Sequence, residues 1–284
     1  MLLVPPRSIE AADAGTVPGA FTLTIGGTVA RWVAPPATSA TTVTSSNNAA
    51  GQTKTAVATD DIGDERDYML GPGTIAASLL VDAERRLRLA VTAAPKDPLI
   101  HARLGRFFLA QVNGAKDHGT KYAAASSALL ELERARALLN NEEDKLKLMA
   151  ALVRTSAIVD RQDKARDYAV EWMKKVPVGR WDYANAQHYG HTALGLIAVK
   201  AKDLKAAKDQ LAMSADHSGS PQLNAYGPCM DLAAALMNQG QKDAVADYLE
   251  ACGRFWKAGD KQLATWNQAL DAGLRPDFTG HFAF

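Results

Sequence analysis

Two histidines on one predicted helix have the spacing that could hold a metal ion. His188 and His191 are three residues apart in a segment with helical periodicity, so their side chains share a face. No carboxylate lies at a matching offset on this helix, and the segment lacks the His-Glu-x-x-His zinc motif. The alternative is packing and hydrogen bonding beside Tyr189, Trp181 and Tyr183, and the sequence favours that alternative.

The two cysteines are a second candidate for chemistry. Cys229 lies eleven residues before Gly240, and Cys252 lies eleven residues after Gln241, on consecutive predicted helices. In an antiparallel helix pair this places them at the same height, which is compatible with a disulfide if the Cα atoms lie within about 7 Å. Two small buried thiols are the alternative and the usual state of free cysteines, and we favour it.

No other motif indicates catalysis, and the composition excludes several classes of partner. The chain lacks a Gly-x-Ser-x-Gly elbow, and Gly71-Pro72-Gly73 lacks the lysine of a phosphate-binding loop. The net charge is +1, so no basic excess points to nucleic acid. No stretch approaches the roughly 20 apolar residues of a membrane span. We therefore expect a globular protein that is not an enzyme and carries no cofactor.

The elements that would position these residues follow a pattern that recurs four times. Each copy has a pair of residues on one predicted helix and alternating small and large residues on the next. The clearest copies are Leu194, Gly195, Ala198, Ala207, Leu211 and Ser214, then Leu232, Ala233, Leu236, Val245, Leu249 and Cys252. Looser copies are Leu152, Val153, Ser156, Ala165, Ala169 and Trp172, and Leu104, Gly105, Phe108, Ala128, Leu132 and Ala135. A two-helix unit repeated every 34 to 45 residues or so is typical of α-solenoids.

These four residue sets resemble the tetratricopeptide repeat family and cover roughly residues 98–257. Residues 220–228, with Phe255-Trp256, are also similar to a group of bacterial tetratricopeptide proteins. The resemblance implies a mainly α fold, a right-handed α-solenoid of about four helix pairs with flanking helices. It also implies binding of proteins rather than catalysis.

Periodicity and capping signals predict the helices one by one. We expect a lead helix at 74–94 and a last helix at 260–272, which closes the stack. The pairs between them are predicted at 98–112 with 119–139, 142–159 with 162–176, 182–201 with 203–216, and 221–239 with 241–257.

The resemblance further implies a concave face, lined by the first helix of each pair. Aligning the units places Arg106, Arg154, Tyr189, Lys200 and Asn238 on this face. Similar basic and polar grooves hold acidic peptide ends in some relatives, and arginine suits bidentate carboxylate contacts. Ordinary solvated charges are the alternative, and the sequence does not decide between the two.

The N-terminal quarter of the chain is unlike the rest. Residues 1–63 carry only seven charged side chains, and the period-two segment Phe21-Thr22-Leu23-Thr24-Ile25 precedes Gly26-Gly27, a hairpin signal. We predict a charge-poor β or extended arm (1–63), a linker (64–73), the solenoid (74–273) and an aromatic tail (274–284). The arm has too few large apolar residues for its own core, so it is either disordered or docked on a partner. The side chains expected to dock are Phe21, Leu23, Ile25, Val29 and Trp32.

Two functions from different classes fit this organisation. The first is self-assembly into a homo-oligomer or filament through the arm, in the manner of donor strands, and through the solenoid ends. The second is an adaptor that binds an acidic peptide in the basic groove, and a metal or enzyme site around His188 and His191 is a weaker alternative. A filament subunit would be extracellular or at the cell surface, and an adaptor would be cytoplasmic. The tail either folds back on the last helix or inserts into a neighbouring copy.

Overall fold

Helices dominate this chain, as the repeat pattern predicts. The structure is a computed structural model that describes the backbone of residues 21–25, 28–32, 77–115 and 117–278, with side chains from residue 81 onward within those ranges. The chain divides into two units, residues 1–60 and residues 61–284. The linker at 64–73, the side chains of the arm and the last six residues of the tail lie outside the described residues.

In the first unit, two strands form an antiparallel sheet. Strand β1 (Phe21–Ile25) pairs with β2 (Thr28–Trp32), with Phe21 opposite Trp32 and Ile25 opposite Thr28. The strands are joined through Gly26-Gly27, the two-residue connection that the sequence indicates for a hairpin.

The second unit is helical throughout the part that the structure describes. Its helices are α1 (Ala77–Ala93), α2 (Pro98–Gly114), α3 (His118–Leu138), α4 (Glu142–Leu146), α5 (Met149–Ile158), α6 (Gln162–Lys175), α7 (Tyr183–Lys200), α8 (Leu204–Met213), α9 (Pro221–Tyr226), α10 (Asp231–Asn238), α11 (Lys242–Cys252) and α12 (Asp260–Asp271). A short 3-10 helix, Lys257–Gly259, precedes α12. None of the described helices combines the length and apolar character needed to cross a membrane.

The helices pack in the order of the chain. Four pairs form, namely α2 with α3, α5 with α6, α7 with α8, and α10 with α11, numbered pair 1 to pair 4. The first helices of the pairs contact each other in series, and each second helix packs against the first helix of the next pair. Helix α1 packs on α2 at one end of the series, and α12 packs on α11 at the other.

Two apolar clusters fill the space between these helices. One joins pairs 1 and 2 and the nearest side of α7, with Leu104, Leu132, Leu152 and Trp172 fully enclosed. The other joins pairs 3 and 4 with α12, around Leu211, Trp256 and Trp266. Helix α7 contributes to both clusters and therefore links the two halves of the helical unit.

The turn within each of three pairs has the same backbone conformation. The second residue after the first helix is Asp160, Lys202 or Gly240, with φ values of 59°, 61° and 71°. In each turn the next backbone N–H donates to a carbonyl five residues earlier, from Arg161 to Ser156, from Asp203 to Ala198 and from Gln241 to Leu236. This is the Schellman arrangement, so pairs 2, 3 and 4 repeat the same backbone turn.

Replacing Lys202 with glycine is expected to raise the free energy of unfolding by about 1 kcal/mol. The left-handed conformation costs a residue with a Cβ about that much, and glycine adopts it freely. The reverse change, Gly240→Ala, is expected to lower the free energy of unfolding by a similar amount. Backbone strain is the only cause of this cost, because no atom lies within 4 Å of the added Cβ. Urea denaturation measures both variants. A Lys202→Gly variant no more stable than the wild type would contradict the turn assignment.

Two predicted helices are each divided in the structure. The helix expected at 142–159 breaks at Lys147-Leu148, where the Leu148 N–H bonds to the carbonyl of Lys145, three residues back. Leu146, Leu148 and Met149 are all buried. The bond from Leu148 to Lys145 is that of a 3-10 turn, and it interrupts the α-helix between Leu146 and Met149.

The helix expected at 221–239 ends at Tyr226 and resumes at Asp231. Gly227 has a φ of 85° and a ψ of 179°, a conformation essentially restricted to glycine. Pro228 follows and has no N–H to donate to a helix. The start of α9 agrees with the sequence, because Ser220 accepts a hydrogen bond from the Leu223 N–H and Pro221 occupies the first helical position.

Candidate interaction surface

Arg154 on α5 is surrounded by groups from the first helices of other pairs. Its Nη2 donates to Asn113 Oδ1 on α2 at 2.5 Å. Burial lowers the pKa of its guanidinium, whereas the nearby Cys229, Tyr189 and Asp231 favour the charged form. Its Nε is enclosed and has no hydrogen-bond partner among the described residues. Helices α2, α5, α7 and α10 therefore meet in one polar cluster, the Arg154 cluster, formed by Asn113, Arg154, Tyr189 and Asp231.

The other residues predicted for the groove make contacts elsewhere. Lys200 Nζ lies 2.6 Å from Asp160 Oδ1, in an exposed ion pair between the turns of pairs 2 and 3. Asn238 accepts a hydrogen bond from Arg275, which follows α12. Lys200 is eleven residues beyond Tyr189 on α7, about 16 Å along the helix axis. The structure thus brings Arg154 and Tyr189 together, keeps Lys200 away from them, and places Arg106 half-buried on α2.

His188 is fully buried, and backbone groups use both of its ring nitrogens. Its Nδ1 faces the Ser214 carbonyl at 2.8 Å, and its Nε2 faces the Cys229 N–H at 2.8 Å. Since a backbone N–H can only donate, Nε2 accepts and Nδ1 carries the proton, which defines a neutral tautomer. Burial lowers the pKa of His188 to about 3. The ring connects α7 to the end of α8 and to the segment before α10.

The metal site considered for His188 and His191 has little support in this geometry. A metal at His188 would have to displace one of the two backbone hydrogen bonds. His191 Nδ1 lies 2.8 Å from Gln210 Oε1, so Nδ1 of each histidine already has a partner on α8 or at its end. No group of three or more metal-binding side chains occurs in the part of the chain that the structure describes.

Cys229 and Cys252 are both buried and free, so the disulfide left open by the sequence does not form here. Tyr248 lies beside both residues, and its hydroxyl donates to the Cys229 carbonyl at 3.1 Å. Burial raises the pKa of the Cys252 thiol to about 12, which keeps it protonated at neutral pH. These thiols therefore have the character of packing groups rather than nucleophiles.

Buried polar contacts that the sequence did not indicate join α7 to the segment that precedes pair 4. Asn185 on α7 accepts from the Ser220 hydroxyl at 2.6 Å and donates to Gln222 Oε1 at 3.1 Å. Three residues along α7 therefore contact residues 222–232. Asn185 contacts Gln222, His188 contacts Cys229, and Gly195 contacts Leu232. Only the Ser220-Pro221 capping signal was visible locally, because the partners are more than thirty residues apart.

A second buried polar contact holds the start of the series. His101 on α2 lies with Nδ1 at 2.6 Å from Glu131 Oε2 on α3 and with Nε2 at 3.0 Å from the Pro95 carbonyl. Both ring nitrogens face oxygen atoms, so His101 links α2 to α3 and to the segment before α2. Arg134 also donates to Glu131 at 2.8 Å.

A shallow groove of about 520 Å³ lies between α8 and α11, the second helices of pairs 3 and 4. Its charged lining consists of three cations and three carboxylates, namely Lys208, Lys242, Arg254, Asp209, Asp243 and Asp247. This balance selects neither anionic nor cationic ligands. The groove therefore defines no ligand class.

None of the family models, curated proteins or solved structures compared with this chain matches it. The likeness to tetratricopeptide repeats thus rests on the residue pattern, and the serial helix pairs with their repeated turn are compatible with it. It remains a resemblance.

Proposed function

We propose that this chain is a non-enzymatic protein-interaction scaffold that assembles with copies of itself. In this proposal the helical unit is a right-handed, tetratricopeptide-like α-solenoid. The observation that carries the proposal is the serial packing of the four helix pairs. A serial stack has two terminal faces, at α1 and at α12, and head-to-tail contact between such faces can extend into a filament.

The terminal face at α1 supports this proposal. Val81 and Leu89 are 68% and 58% exposed, although both are large apolar residues. Their spacing of eight residues, with Arg85 midway, places them on one side of the helix. A neighbouring copy would cover this stripe and remove its apolar surface from water, at roughly 25 cal/mol for each Å².

The two-stranded sheet supports the proposal independently. Among the described residues, β1 and β2 pair only with each other, so each has an outer edge without a partner strand. An isolated hairpin is marginally stable in water, and an open edge accepts a further strand. In this proposal a strand from another copy completes the sheet, which is strand addition between subunits.

Removal of residues 1–60 is expected to reduce the mass of the particles that the chain forms. The remaining residues are a unit of their own, so they should fold without the arm. Size-exclusion chromatography with light scattering compares the full chain with residues 61–284 at equal concentration. A full-length Val170→Ser variant, changed at an exposed apolar residue on α6, controls for the loss of surface hydrophobicity. Identical particle masses with and without the arm would contradict its role in assembly.

The second candidate function is an adaptor that binds an acidic peptide in the predicted groove. The observation in its favour is the enclosed Arg154 Nε, which has no partner among the described residues. Asp231 in the same cluster opposes an acidic ligand, and Lys200 is paired with Asp160 at a distance from the cluster. For this reason we place the adaptor second.

A further inference from the structure

The segment after α12 turns back onto that helix. Gly273, with a φ of 73°, ends α12, and the Leu274 N–H bonds to the Ala269 carbonyl at 2.8 Å. Leu274 is 64% exposed, whereas Pro276 two residues later is buried. The chain therefore leaves the helix through an exposed hinge and then enters an apolar environment.

Residues 276–278 are held by their backbone and by a side chain. Trp266 on α12 donates its indole N–H to the Asp277 carbonyl at 2.8 Å. The Phe278 ring meets the Trp266 ring edge to face, with centroids 5.0 Å apart. A donor to the main chain, combined with an apolar contact for one side chain, is the way in which proteins commonly hold extended peptides.

Trp266 belongs to the apolar cluster against which Phe278 packs, together with Trp256, Leu263 and Leu270, and we call the surface of these four residues the tail cleft. All four side chains are buried, and the two indole rings lie 5.9 Å apart. Phe278 packs at the edge of the same apolar cluster. The cleft thus takes three consecutive residues of a peptide that is tethered next to it.

We propose that the tail cleft is a peptide-binding site that also takes residues 276–278 of a second copy, by exchange of tails between subunits. A second copy carries the same segment, so every contact made within one chain can be made between two. The exposed hinge at Gly273 and Leu274 lets the segment leave without unwinding α12. This inference does not depend on the N-terminal arm or on the α1 face.

The tether determines when exchange occurs. A short connection gives the chain's own tail an effective concentration of about millimolar, so the intramolecular contact dominates in dilute solution. Exchange becomes favourable where copies are crowded, as within an assembly. A mutation that weakens binding of the chain's own tail leaves the tail cleft free for a competing peptide, so the affinity of the cleft can be measured by titration.

The first test uses a fluorescent peptide of residues 274–279 and the full-length chain. Phe278→Ala weakens the tethered tail, so this variant is expected to bind the peptide at least tenfold more tightly than the wild type in an anisotropy titration. Adding Trp266→Phe to this variant removes the indole donor and should reduce binding. Trp181→Phe, a change of an exposed tryptophan in the loop before α7, is the matched control and should have no effect. Equal binding by the wild type and Phe278→Ala overturns the proposal.

The second test mixes two full-length variants. Phe278→Ala has an intact cleft and a weak tail, while Trp266→Ala has a damaged cleft and an intact tail. Sedimentation velocity of the mixture at high concentration is expected to show a heterodimer that neither variant forms alone. If Trp266→Ala does not fold, Trp266→Phe takes its place. Peptide binding without any heterodimer would overturn exchange between copies, whereas loss of assembly in the arm deletion would leave this result unaffected.

Discussion

Replacing Gly195 with alanine is expected to lower the free energy of unfolding by about 2 to 3 kcal/mol, as overpacking of a filled core does. A Cβ at this position would lie 2.2 Å from Leu232 Cδ2 and 2.9 Å from its Cδ1. Leu232 is completely buried, so it has little room to move away. The cost arises between pairs 3 and 4, because Gly195 is on α7 and Leu232 is on α10. Urea denaturation of the two proteins measures the difference.

Two further variants isolate the cause of this effect. Gly114→Ala adds the same methyl group to a helix where no atom lies within 4 Å, so it should raise stability by up to about 1 kcal/mol through helix propensity. The double variant with Leu232→Ala removes the clashing side chain, and Gly195→Ala should then cost much less than it does alone. A cost for Gly195→Ala that is unchanged in the Leu232→Ala background would show that the two helices do not approach here.

Lowering the pH from 6.5 to 4 is expected to reduce stability by about 3 kcal/mol through His188 alone. In the unfolded chain a histidine binds its proton below a pH of about 6.5. In the folded chain burial keeps the His188 pKa near 3 because it disfavours the charged ring. Protonation of Nε2 would also break its hydrogen bond with the Cys229 N–H. Between these values the unfolded state binds more protons, so stability falls by about 1.4 kcal/mol for each pH unit.

Comparison with His188→Asn isolates this contribution from other groups. Burial also lowers the pKa of His217, which adds a slope of the same sign in both proteins. Urea unfolding at a series of pH values should show that the difference in stability between wild type and variant shrinks as the pH falls from 6.5 to 4. His118→Gln, changed at an exposed histidine on α3, serves as the control and should keep the wild-type profile. A constant difference between wild type and His188→Asn would contradict a buried neutral ring.

The sequence predicted the helices well where local signals set them. The cap at Asp97, the proline at Pro98 and the glycines at Gly240 and Gly273 mark ends that the structure places within a few residues. It missed the break at Lys147-Leu148, because no glycine or proline marks that turn in the sequence. The prediction of one helix over 221–239 was wrong at Gly227-Pro228, a pair of residues that commonly interrupts helices.

The role of Gly195 shows what the repeat pattern could not reveal. The pattern indicated that small residues let the two helices of one pair approach, and Gly105 against Leu132 on α3 is such a contact. Gly195 instead makes room for the next pair, a distinction that depends on how the units stack. The contacts of His188 with Cys229 and of Asn185 with Gln222 were unpredictable for the same reason, since these partners lie beyond pair 3.

The charged residues predicted for the groove show a related limit. Alignment of the repeats places a residue on a helix, but it does not determine which group the side chain contacts. Lys200, for example, forms an ion pair with Asp160 in the turn of pair 2. Arg154 is different because first helices of other pairs surround it. Helix position was therefore predictable from sequence, whereas the pairing of long charged side chains was not.

The mass of the purified full-length chain in solution tests the central proposal most directly. One chain has a mass of 30.3 kDa. Light scattering over a range of concentrations, with negative-stain microscopy of the same sample, should show particles of several copies that grow with concentration. A single species of one chain at every concentration would contradict the proposed self-assembly.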